Sequence, residues 1–330
     1  MKRTKILSTG RYSPKKVLTN IDLEKIVETN DEWVFERTGI KERRISNPDG
    51  GEYPSDMAVF AAQKAFKKID FNPKNLDMIL LSTMTPDYKL PNTASVVQTK
   101  LGMQGKCACL DIAAACSGFV YAINMADGLI KSSLMKNILV IGTEMMSREV
   151  NWKDRNTCIL FGDGCGVALV GSGEDDESEI LASTLGADGN GRKFFDQPIG
   201  GAVEPLNETH LKKENYFMQM QGREMFKVAS RTLAESGEAV LKKANLQVSD
   251  VDWLIPHQAN KRIIEATAKM LALPMDKVIV NIEKYGNTSA ATIPLAFDEA
   301  IEAGKIKRGD IVLFDAFGAG LTSGATLLKF

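Results

Sequence analysis

The two halves of the chain repeat one another, and this duplication restricts the possible folds more than any single motif does. Asp77, in the segment NLDMILL, matches Asp252 in DVDWLIP, 175 residues later. Asp127 matches Asp298 at an offset of 171 residues, and an apolar run follows each of them. Such self-similarity indicates that one supersecondary unit is present twice. We therefore expect two related halves, 1–172 and 173–330, divided in a glycine-rich and acidic segment.

Each half alternates short apolar runs with longer segments of helical period. Short apolar runs are typical of buried strands, whereas a recurrence every 3.6 residues is typical of amphipathic helices. The alternation predicts an α/β fold in which two sheets and their helices form a layered sandwich. The predicted strands are Ile79–Ser82, Ile138–Ile141, Val167–Val170, Trp253–Ile255, Val278–Val280, Ile311–Phe314 and Ala325–Leu328.

Composition excludes several classes of partner and site. Lys and Arg number 41 and Asp and Glu 42, which gives a formal net charge of −1. The chain therefore has no overall positive charge that would attract nucleic acid or an acidic membrane surface. No apolar run approaches the roughly 18 residues of a membrane span. The five cysteines are odd in number and crowded into one half, which predicts reduced thiols in the cytoplasm. Because Cys107 and Cys109 are too close together for a zinc pair, we expect no metal site.

Cys116 lies between a strand-like run and a helical pattern. The run Cys109–Ala113 precedes it, and apolar residues recur at helical spacing from Phe119 to Ile130. The unpaired amides at a helix start favour a negative charge, so we expect this position to lower the thiol pKa and to make Cys116 a nucleophile. A buried structural thiol is the alternative, and it suits the other four cysteines.

His257 and Asn287 each follow a predicted strand. In layered α/β folds, ligand sites form at the carboxyl ends of strands. A lone histidine is more often structural, but the loop that holds Asn287 corresponds to the Cys116 region in the repeat. We therefore expect Cys116, His257 and Asn287 to meet in one site.

Five motifs, in the same order along the chain, resemble the β-ketoacyl-acyl carrier protein synthase III family of the thiolase superfamily. The resemblance implies a thiolase-like, five-layered αβαβα sandwich, a homodimer, and the first condensation of type II fatty-acid synthesis. The substrates would be an acyl-CoA, commonly acetyl-CoA, and malonyl-acyl carrier protein, with no further cofactor. The motifs are Ala113–Gly118, Phe161–Gly164, Pro256–Asn260, Gly286–Ala291 and Ala316–Thr322.

The family chemistry assigns a role to each residue of the expected site. Cys116 would accept the acyl group as a thioester. The backbone N–H groups of Cys116 and Ala319 would form the oxyanion hole, where losing one donor typically costs about 2.7–4 kcal/mol. His257 and Asn287 would donate to the malonyl thioester oxygen during decarboxylation, with the protonation state of His257 left open.

The resemblance also assigns residues that bind the two carriers. Trp33 would stack on the adenine of coenzyme A, and its phosphates would meet Arg37 and Arg155, with Asn260 nearby. The acidic acyl carrier protein would dock on a basic patch, for which a solvated helix face is the equally weighted alternative. The residues of this patch are Lys227, Arg262 and Lys269.

Two positions depart from the family pattern. Leu90 stands where some members place a bulky aromatic that closes the acyl pocket, and Ser323 replaces a frequent tryptophan. A smaller lining would admit longer or branched primers. Three alternatives stay open: a ketosynthase of secondary metabolism, a cysteine hydrolase, and a non-catalytic acyl-binding protein.

Overall fold

A computed structural model describes residues 2–103, 105, 107–173 and 178–330. The strands in these ranges are β1 (Arg3–Tyr12), β2 (Lys16–Thr19), β3 (Glu42–Ile45), β4 (Met78–Ser82), β5 (Ala108–Ile112), β6 (Asn137–Met145), β7 (Asp163–Gly173), β8 (Glu179–Ala187), β9 (Phe195–Asp196), β10 (Gln219–Met220), β11 (Trp253–Pro256), β12 (Ile311–Gly318) and β13 (Thr322–Lys329). The helices are α1 (Asn20–Leu23), α2 (Asp31–Thr38), α3 (Pro54–Lys68), α4 (Thr93–Lys100), α5 (Gly118–Lys131), α6 (Arg155–Cys158), α7 (Glu208–Lys213), α8 (Gly222–Ala244), α9 (Lys261–Met270), α10 (Ile282–Tyr285) and α11 (Thr292–Glu302).

Two sheets with matching topology form the framework. One has the strand order β1-β7-β6-β4-β5 and the other β8-β13-β12-β11. In the first, β4 is parallel to β6, which is antiparallel to β7, which is antiparallel to β1. In the second, β11 is parallel to β12, which is antiparallel to β13, which is antiparallel to β8. Four strands thus have the same order and directions in both sheets, which confirms the predicted duplication, and β5 is an additional strand of the first sheet.

Helices α5 and α11 lie between the two sheets. Phe119 of α5 and Phe297 of α11 both contact Phe314 of β12, with ring centroids 6.3 and 5.0 Å apart. The same core cluster includes Leu80 of β4, whereas the next residue, Leu81, packs in the cluster of α3 and α4. Successive strand residues point to opposite faces, so the first sheet has helices on both sides.

The second sheet is covered in the same way, since its outer face packs in one cluster with α8 and α9. The layers are therefore α3 with α4, the first sheet, α5 with α11, the second sheet, and α8 with α9. This order confirms the expected αβαβα sandwich.

Two glycines of the first sheet allow α11 and the turn before it to approach closely. A Cβ atom on Gly142 of β6 would lie 2.3 Å from the carbonyl oxygen of Ala290. One on Gly166 of β7 would lie 2.5 Å from the backbone nitrogen of Leu295. Any side chain at these positions would push the central helix layer away from the sheet.

Six of the seven predicted strands are confirmed, and the prediction of a strand at Val278–Val280 is wrong. Val278 makes an isolated bridge to Leu254, and the residues after it leave the sheet. The side-chain amide of Gln258 takes the place of a neighbouring strand, because it donates to the carbonyl oxygen of Ile279 and accepts from the backbone N–H of Asn281.

The predicted boundary between the halves lies between two strands. β7 ends at Gly173 and β8 begins at Glu179, while 174–177 lie outside the described residues. The division at 172 and 173 stays a prediction. Among the helices of the described ranges, none combines the length and the apolar character needed to span a membrane.

Candidate active site

Cys116 lies in a single 3-10 turn, Ala115–Ser117, between β5 and α5. Ala115 adopts a left-handed conformation with φ of +47°, which is unfavourable for a residue with a side chain and turns the chain sharply toward the helix. The thiol is largely buried, with 6% of the residue exposed. The structure thus confirms the strand-to-helix position that the sequence predicts.

The expected lowering of the Cys116 pKa is wrong. Burial raises the pKa of Cys116 to about 12, and the charge of Glu144 contributes in the same direction. Hydrogen bonding by Ser289 lowers it, but by less. Removing the thiolate from water outweighs its favourable surroundings, so Cys116 is a protonated thiol in the free protein.

His257 follows β11 and is held by β12 and by the start of α11. Its backbone N–H donates to the carbonyl oxygen of Asp315 over 2.8 Å, and its Nδ1 lies 2.8 Å from the Thr292 hydroxyl. Burial lowers the pKa of His257 to about 3. Burial therefore favours a neutral imidazole, the protonation state that the sequence leaves open.

Asn287 is fixed through its backbone and its side-chain oxygen. Its N–H donates to the carbonyl oxygen of Leu160, and its own carbonyl accepts from the N–H of Gly162. The side-chain Oδ1 accepts from the N–H of Ser289 over 2.8 Å. With the oxygen occupied, the Nδ2 amide is the part of the side chain that can donate to a ligand.

Two equivalent turns from the two halves meet at the site. The 3-10 turn Ser289–Ala291 precedes α11 as Ala115–Ser117 precedes α5, and the two turns pack together. Ser289 has φ of +50°, close to the +47° of Ala115. The duplication therefore places the nucleophile region of one half against the asparagine loop of the other.

Gly318, at the end of β12, contacts Cys116 from the second sheet. A Cβ atom there would lie 2.7 Å from the Cys116 backbone nitrogen and 3.1 Å from its Cβ. Ala319 is the next residue, and its carbonyl oxygen accepts from the hydroxyl of Thr322. The role of the Ala319 N–H in an oxyanion hole stays a prediction.

A cavity of about 670 Å³ brings the three predicted catalytic residues together, because Cys116, His257 and Asn287 all line it. Most of the other lining is apolar, as is usual for small-molecule sites in proteins. Those side chains include Ile159, Leu160, Phe161, Phe195, Met220, Met225, Phe226, Leu233 and Phe317.

Three of the four residues predicted to bind coenzyme A line the same cavity, and the fourth, Arg155, does not line it but lies beside Trp33. Trp33 and Arg37 line it, and the guanidinium carbons of Arg37 and Arg155 lie 4.5 and 4.7 Å from the Trp33 ring centroid. Asn260 also lines the cavity, but it caps α9 and donates to the carbonyl oxygen of Arg37. The aromatic ring and the two cations are thus adjacent.

The predicted carrier-protein patch is only partly at the cavity. Lys227 and Arg262 line it, and the Arg262 guanidinium lies 5.7 Å from the Phe226 ring centroid. Lys269 is exposed one residue before the end of α9 and does not line the cavity.

Leu90 does not line the cavity. It lies in the segment after β4 and is 87% exposed. In one chain the Leu90 side chain is therefore in solvent rather than against the cavity wall, and its assignment to the acyl pocket stays a prediction.

Sequence reasoning missed three polar residues of the site: Glu144, Ser289 and Thr292. All three are buried, and each is bonded to, or acts electrostatically on, one of the predicted residues. Ser289 lies within the motif Gly286–Ala291 and was the nearest to being found. Glu144 follows an apolar run, where a carboxyl group is itself unusual and a signal of function.

The family models and the most similar relatives agree on one family. Residues 110–189 match the family model described as 3-oxoacyl-[acyl-carrier-protein (ACP)] synthase III, and residues 241–330 match that of its C-terminal part. β-Ketoacyl-[acyl-carrier-protein] synthase III of Caldanaerobacter subterraneus is 48% identical over 325 residues, covering 98% of this chain and 97% of the relative. The protein of the same name from Aquifex aeolicus is 50% identical over 327 residues, covering 99% of each.

The fold of a solved relative agrees over the same length. The crystal structure of 3-oxoacyl-[acyl-carrier-protein] synthase III from Aquifex aeolicus VF5 superposes with a TM-score of 0.91 at 48% identity, covering 99% of this chain and all of the other. Sequence and structure both match from end to end, including the layered sandwich that surrounds the cavity. The chain belongs to the 3-oxoacyl-[acyl-carrier-protein] synthase III family, the condensing acyltransferases that start fatty-acid synthesis.

Proposed function

We propose that this chain accepts an acyl group from coenzyme A onto Cys116 and condenses it with malonyl-acyl carrier protein, with acetyl-CoA as the simplest primer. The observation that supports this most strongly is the shared cavity, which is lined by Cys116, His257 and Asn287 and also by Trp33 and Arg37. The adenine would stack on the Trp33 ring, and Arg37 and Arg155 would bind phosphates.

In the first half-reaction the Cys116 sulfur attacks the thioester carbon and coenzyme A leaves. The apolar wall of the cavity would receive the acyl chain, while backbone N–H groups, proposed as those of Cys116 and Ala319, would stabilise the oxyanion. No cofactor takes part, because the substrate thioester supplies the activated carbon.

In the second half-reaction, loss of carbon dioxide makes the malonyl carbon a nucleophile, and negative charge develops on its thioester oxygen. The Asn287 Nδ2 amide would donate to this oxygen. A neutral His257 with its proton on Nε2 would donate to the same oxygen. In that tautomer Nδ1 accepts from the Thr292 hydroxyl, whose proton would turn to Nδ1 from the Ser289 carbonyl oxygen. Fixed neutral donors in a dry cavity stabilise such a charge without having to reorganise.

Incubation with labelled acetyl-CoA tests the proposal, with the label located by peptide mass spectrometry. We expect one acetyl group on Cys116 and a β-ketoacyl product when malonyl-acyl carrier protein is added. Cys116→Ala should remove the label, whereas Cys165→Ala, at a buried thiol outside the cavity, should retain it. His257→Ala should retain the label and lose the condensation.

Other outcomes would identify the alternatives. Release of free acetate would indicate a cysteine hydrolase, and the absence of any label would indicate an acyl-binding protein. A rate series over primer length separates fatty-acid from secondary-metabolite primers.

We further propose that the chain forms a homodimer through the free edge of β5. This edge strand pairs only with β4 within the described residues. Large apolar side chains are exposed on β5, on the segment after β4 and on α5, namely Leu110, Met84, Tyr88, Leu90 and Met125. An uncovered edge beside apolar surface is a template for pairing with a second copy.

Sedimentation velocity tests the dimer. Leu110→Lys should shift the chain toward monomer, while Leu134→Lys, at a more exposed apolar residue beyond α5, should not. A monomeric unmodified chain would contradict this proposal. The five free thiols fit the reducing cytoplasm, where we propose that the protein works.

A further inference from the structure

His257 and Asn287, the two donors of the proposed condensation step, lie in different loops. His257 follows β11, whereas Asn287 lies between α10 and α11. Both side chains would have to reach one thioester oxygen, and small misplacements of such groups have large effects on rate. The contacts that hold the two loops relative to each other therefore matter to the reaction.

Gln258, the residue after His257, is a buried side chain that holds the first loop. It is 1% exposed, and its Nε2 donates to the carbonyl oxygens of Pro256 and Ile279 over 2.8 and 3.2 Å. Its Oε1 accepts from the N–H of Asn281 over 3.1 Å. Two carbonyls and one N–H match the donors and the acceptor of an amide, so the orientation of the side chain is determined. The amide thus joins the first loop to the segment that leads into α10.

From Asn281 the hydrogen bonds continue toward the loop of Asn287. The Asn281 Nδ2 donates to Oε2 of Glu299 over 2.8 Å, and the Tyr285 hydroxyl donates to Oε1 of the same carboxylate over 3.1 Å. The exposed Lys284 adds a longer contact of 3.4 Å. Tyr285 is buried and lies two residues before Asn287. One carboxylate on α11 thus completes a hydrogen-bonded connection between the two loops.

Helix α11 also holds the imidazole itself. The hydroxyl of Thr292, at the start of the helix, lies 2.8 Å from Nδ1 of His257. Glu299 follows seven residues later, which places the two side chains on one face of the helix, about two turns apart. The same helix therefore fixes the imidazole ring near one end and the connection between the loops near the other.

The side chains of this connection, here called the positioning chain, are Gln258, Asn281, Glu299 and Tyr285. We propose that the positioning chain holds the two condensation donors at the spacing at which both reach one oxygen. Its members are positioning residues, because they contact the donor loops and do not line the cavity. The inference rests on the proposed function, since it concerns the second half-reaction. Acylation of Cys116 does not use the two donors and should not depend on the positioning chain.

Two single-turnover measurements separate the half-reactions. Labelled acetyl-CoA gives the acylation rate at Cys116, and isolated acetyl-enzyme mixed with malonyl-acyl carrier protein gives the condensation rate. Glu299→Ala removes both hydrogen bonds at a side chain that is 22% exposed, so the fold should be retained. We expect this variant to slow condensation by about tenfold, while acylation stays within about twofold of the unmodified rate.

Glu302→Ala is the matched control. Glu302 lies three residues later on α11, and its carboxylate pairs with Arg11 and Lys68 instead. The control should leave both rates unchanged. An equal loss of condensation in the two variants, or an equal loss of both half-reactions in Glu299→Ala, would mean that these carboxylates only maintain the fold and would overturn the inference.

Gln258→Glu provides a reversible test at the other end of the positioning chain. An ionised carboxylate would face two carbonyl oxygens, whereas a protonated carboxyl group can donate to one of them and accept from the N–H of Asn281. Burial without a cation raises the pKa of such a group. Relative to the unmodified chain at the same pH, condensation should therefore be slower by about tenfold or more at about pH 8.5 and should recover toward about pH 5.5. Acylation should show no such recovery.

¹⁵N spectra give a readout independent of rate. The chain has two histidines, and the His257 resonances should shift in Glu299→Ala but not in Glu302→Ala. If Gln258→Glu and Glu299→Ala condense at the unmodified rate, the positioning role is refuted and the proposed function stands. If Cys116 of the unmodified chain is never acylated, the proposed function itself fails.

Discussion

Gly318 sets how closely the second sheet approaches Cys116. Its missing Cβ would lie 2.7 Å from the Cys116 backbone nitrogen, a distance that real Cβ atoms do not adopt. We expect Gly318→Ala to displace the nucleophile and to lower the acylation rate by about tenfold or more, since small misplacements of reacting groups have large effects. Single-turnover acylation measures this loss.

A glycine on α5 provides the control. Gly128 has no neighbour within 4 Å of its would-be Cβ. Gly128→Ala should leave acylation unchanged and stabilise the helix by about 0.5–1 kcal/mol. Equal acylation rates in the two variants would show that the Gly318 contact is irrelevant to catalysis.

Thr292 is the partner of His257 at Nδ1, at 2.8 Å. Thr292→Val leaves that nitrogen buried without a hydrogen bond, so we expect condensation to slow by about tenfold while acylation is retained. Thr292→Ser keeps the hydroxyl and should restore condensation. The chain has two histidines, so ¹⁵N spectra can resolve His257 from His210. An unchanged His257 resonance in Thr292→Val would contradict the assignment.

At this scale, sequence identifies residue types and positions but not their proton affinities. Cys116 was expected to be a thiolate because of the helix that follows it, and the structure makes it a thiol because the surrounding layers bury it. The same burial makes His257 neutral. Desolvation depends on how segments that are distant along the chain pack together, and no local sequence pattern indicates that packing. Glu144 and Ser289 were missed for the same reason, since they are 145 residues apart and meet only in the fold.

Among the elements, α11 and β7 are packed backbone to backbone. A Cβ atom on Gly166 would lie 2.5 Å from the Leu295 nitrogen, and neither group can move away freely. Gly166→Ala should therefore destabilise the protein by about 1–3 kcal/mol. Urea unfolding measures this change, with Gly189→Ala as the control, because nothing lies within 4 Å of that position. Equal midpoints would contradict the close packing.

The sequence predicts strands correctly where a run of residues is buried on both faces. The prediction fails where a side chain, rather than a neighbouring strand, forms hydrogen bonds with the backbone. Runs such as Ile138–Ile141 and Ile311–Phe314 are buried on both faces, so their apolar character predicts strands. Val278–Val280 has the same composition, but the Gln258 amide satisfies its backbone. β1 includes buried Ser8 and Thr9, which interrupt the apolar run and conceal the strand.

For the molecule as a whole, buried thiols predict a loss of stability at alkaline pH. Burial raises the pKa of Cys116 and Cys158 to about 12 and 11, from 9.0, and also raises that of Cys165. As the pH rises, the unfolded chain releases these thiol protons before the folded chain does. The contribution of the buried thiols to the free energy of unfolding is therefore complete below pH 9, and it is lost as the pH rises through their pKa values in the folded protein.

Urea midpoints between pH 9 and 11 measure the effect. Cys165→Ser removes one such thiol. The fall in the free energy of unfolding with pH should therefore be less steep than in the unmodified chain, by about 1.4 kcal/mol per pH unit. Identical slopes would show that Cys165 ionises freely in the folded protein.

The layered architecture could be predicted because the duplication is visible along the chain and two sheets of related helices have few ways to pack. The cavity could not be predicted from the sequence. Its wall combines residues from α2, the segment after α6, α8 and β12, for example Trp33, Leu160, Met225 and Phe317, and no periodicity relates these positions. Its volume depends on how the layers close around it.

The single cavity shared by Cys116 and Trp33 also fixes an order of events. If coenzyme A binds beside Trp33 as proposed, it would have to leave before the malonyl donor brings its carbon to the acylated sulfur, because both would use the same cavity. The two donors would then alternate on one binding site, and free coenzyme A would compete with the second donor rather than with the acylated residue.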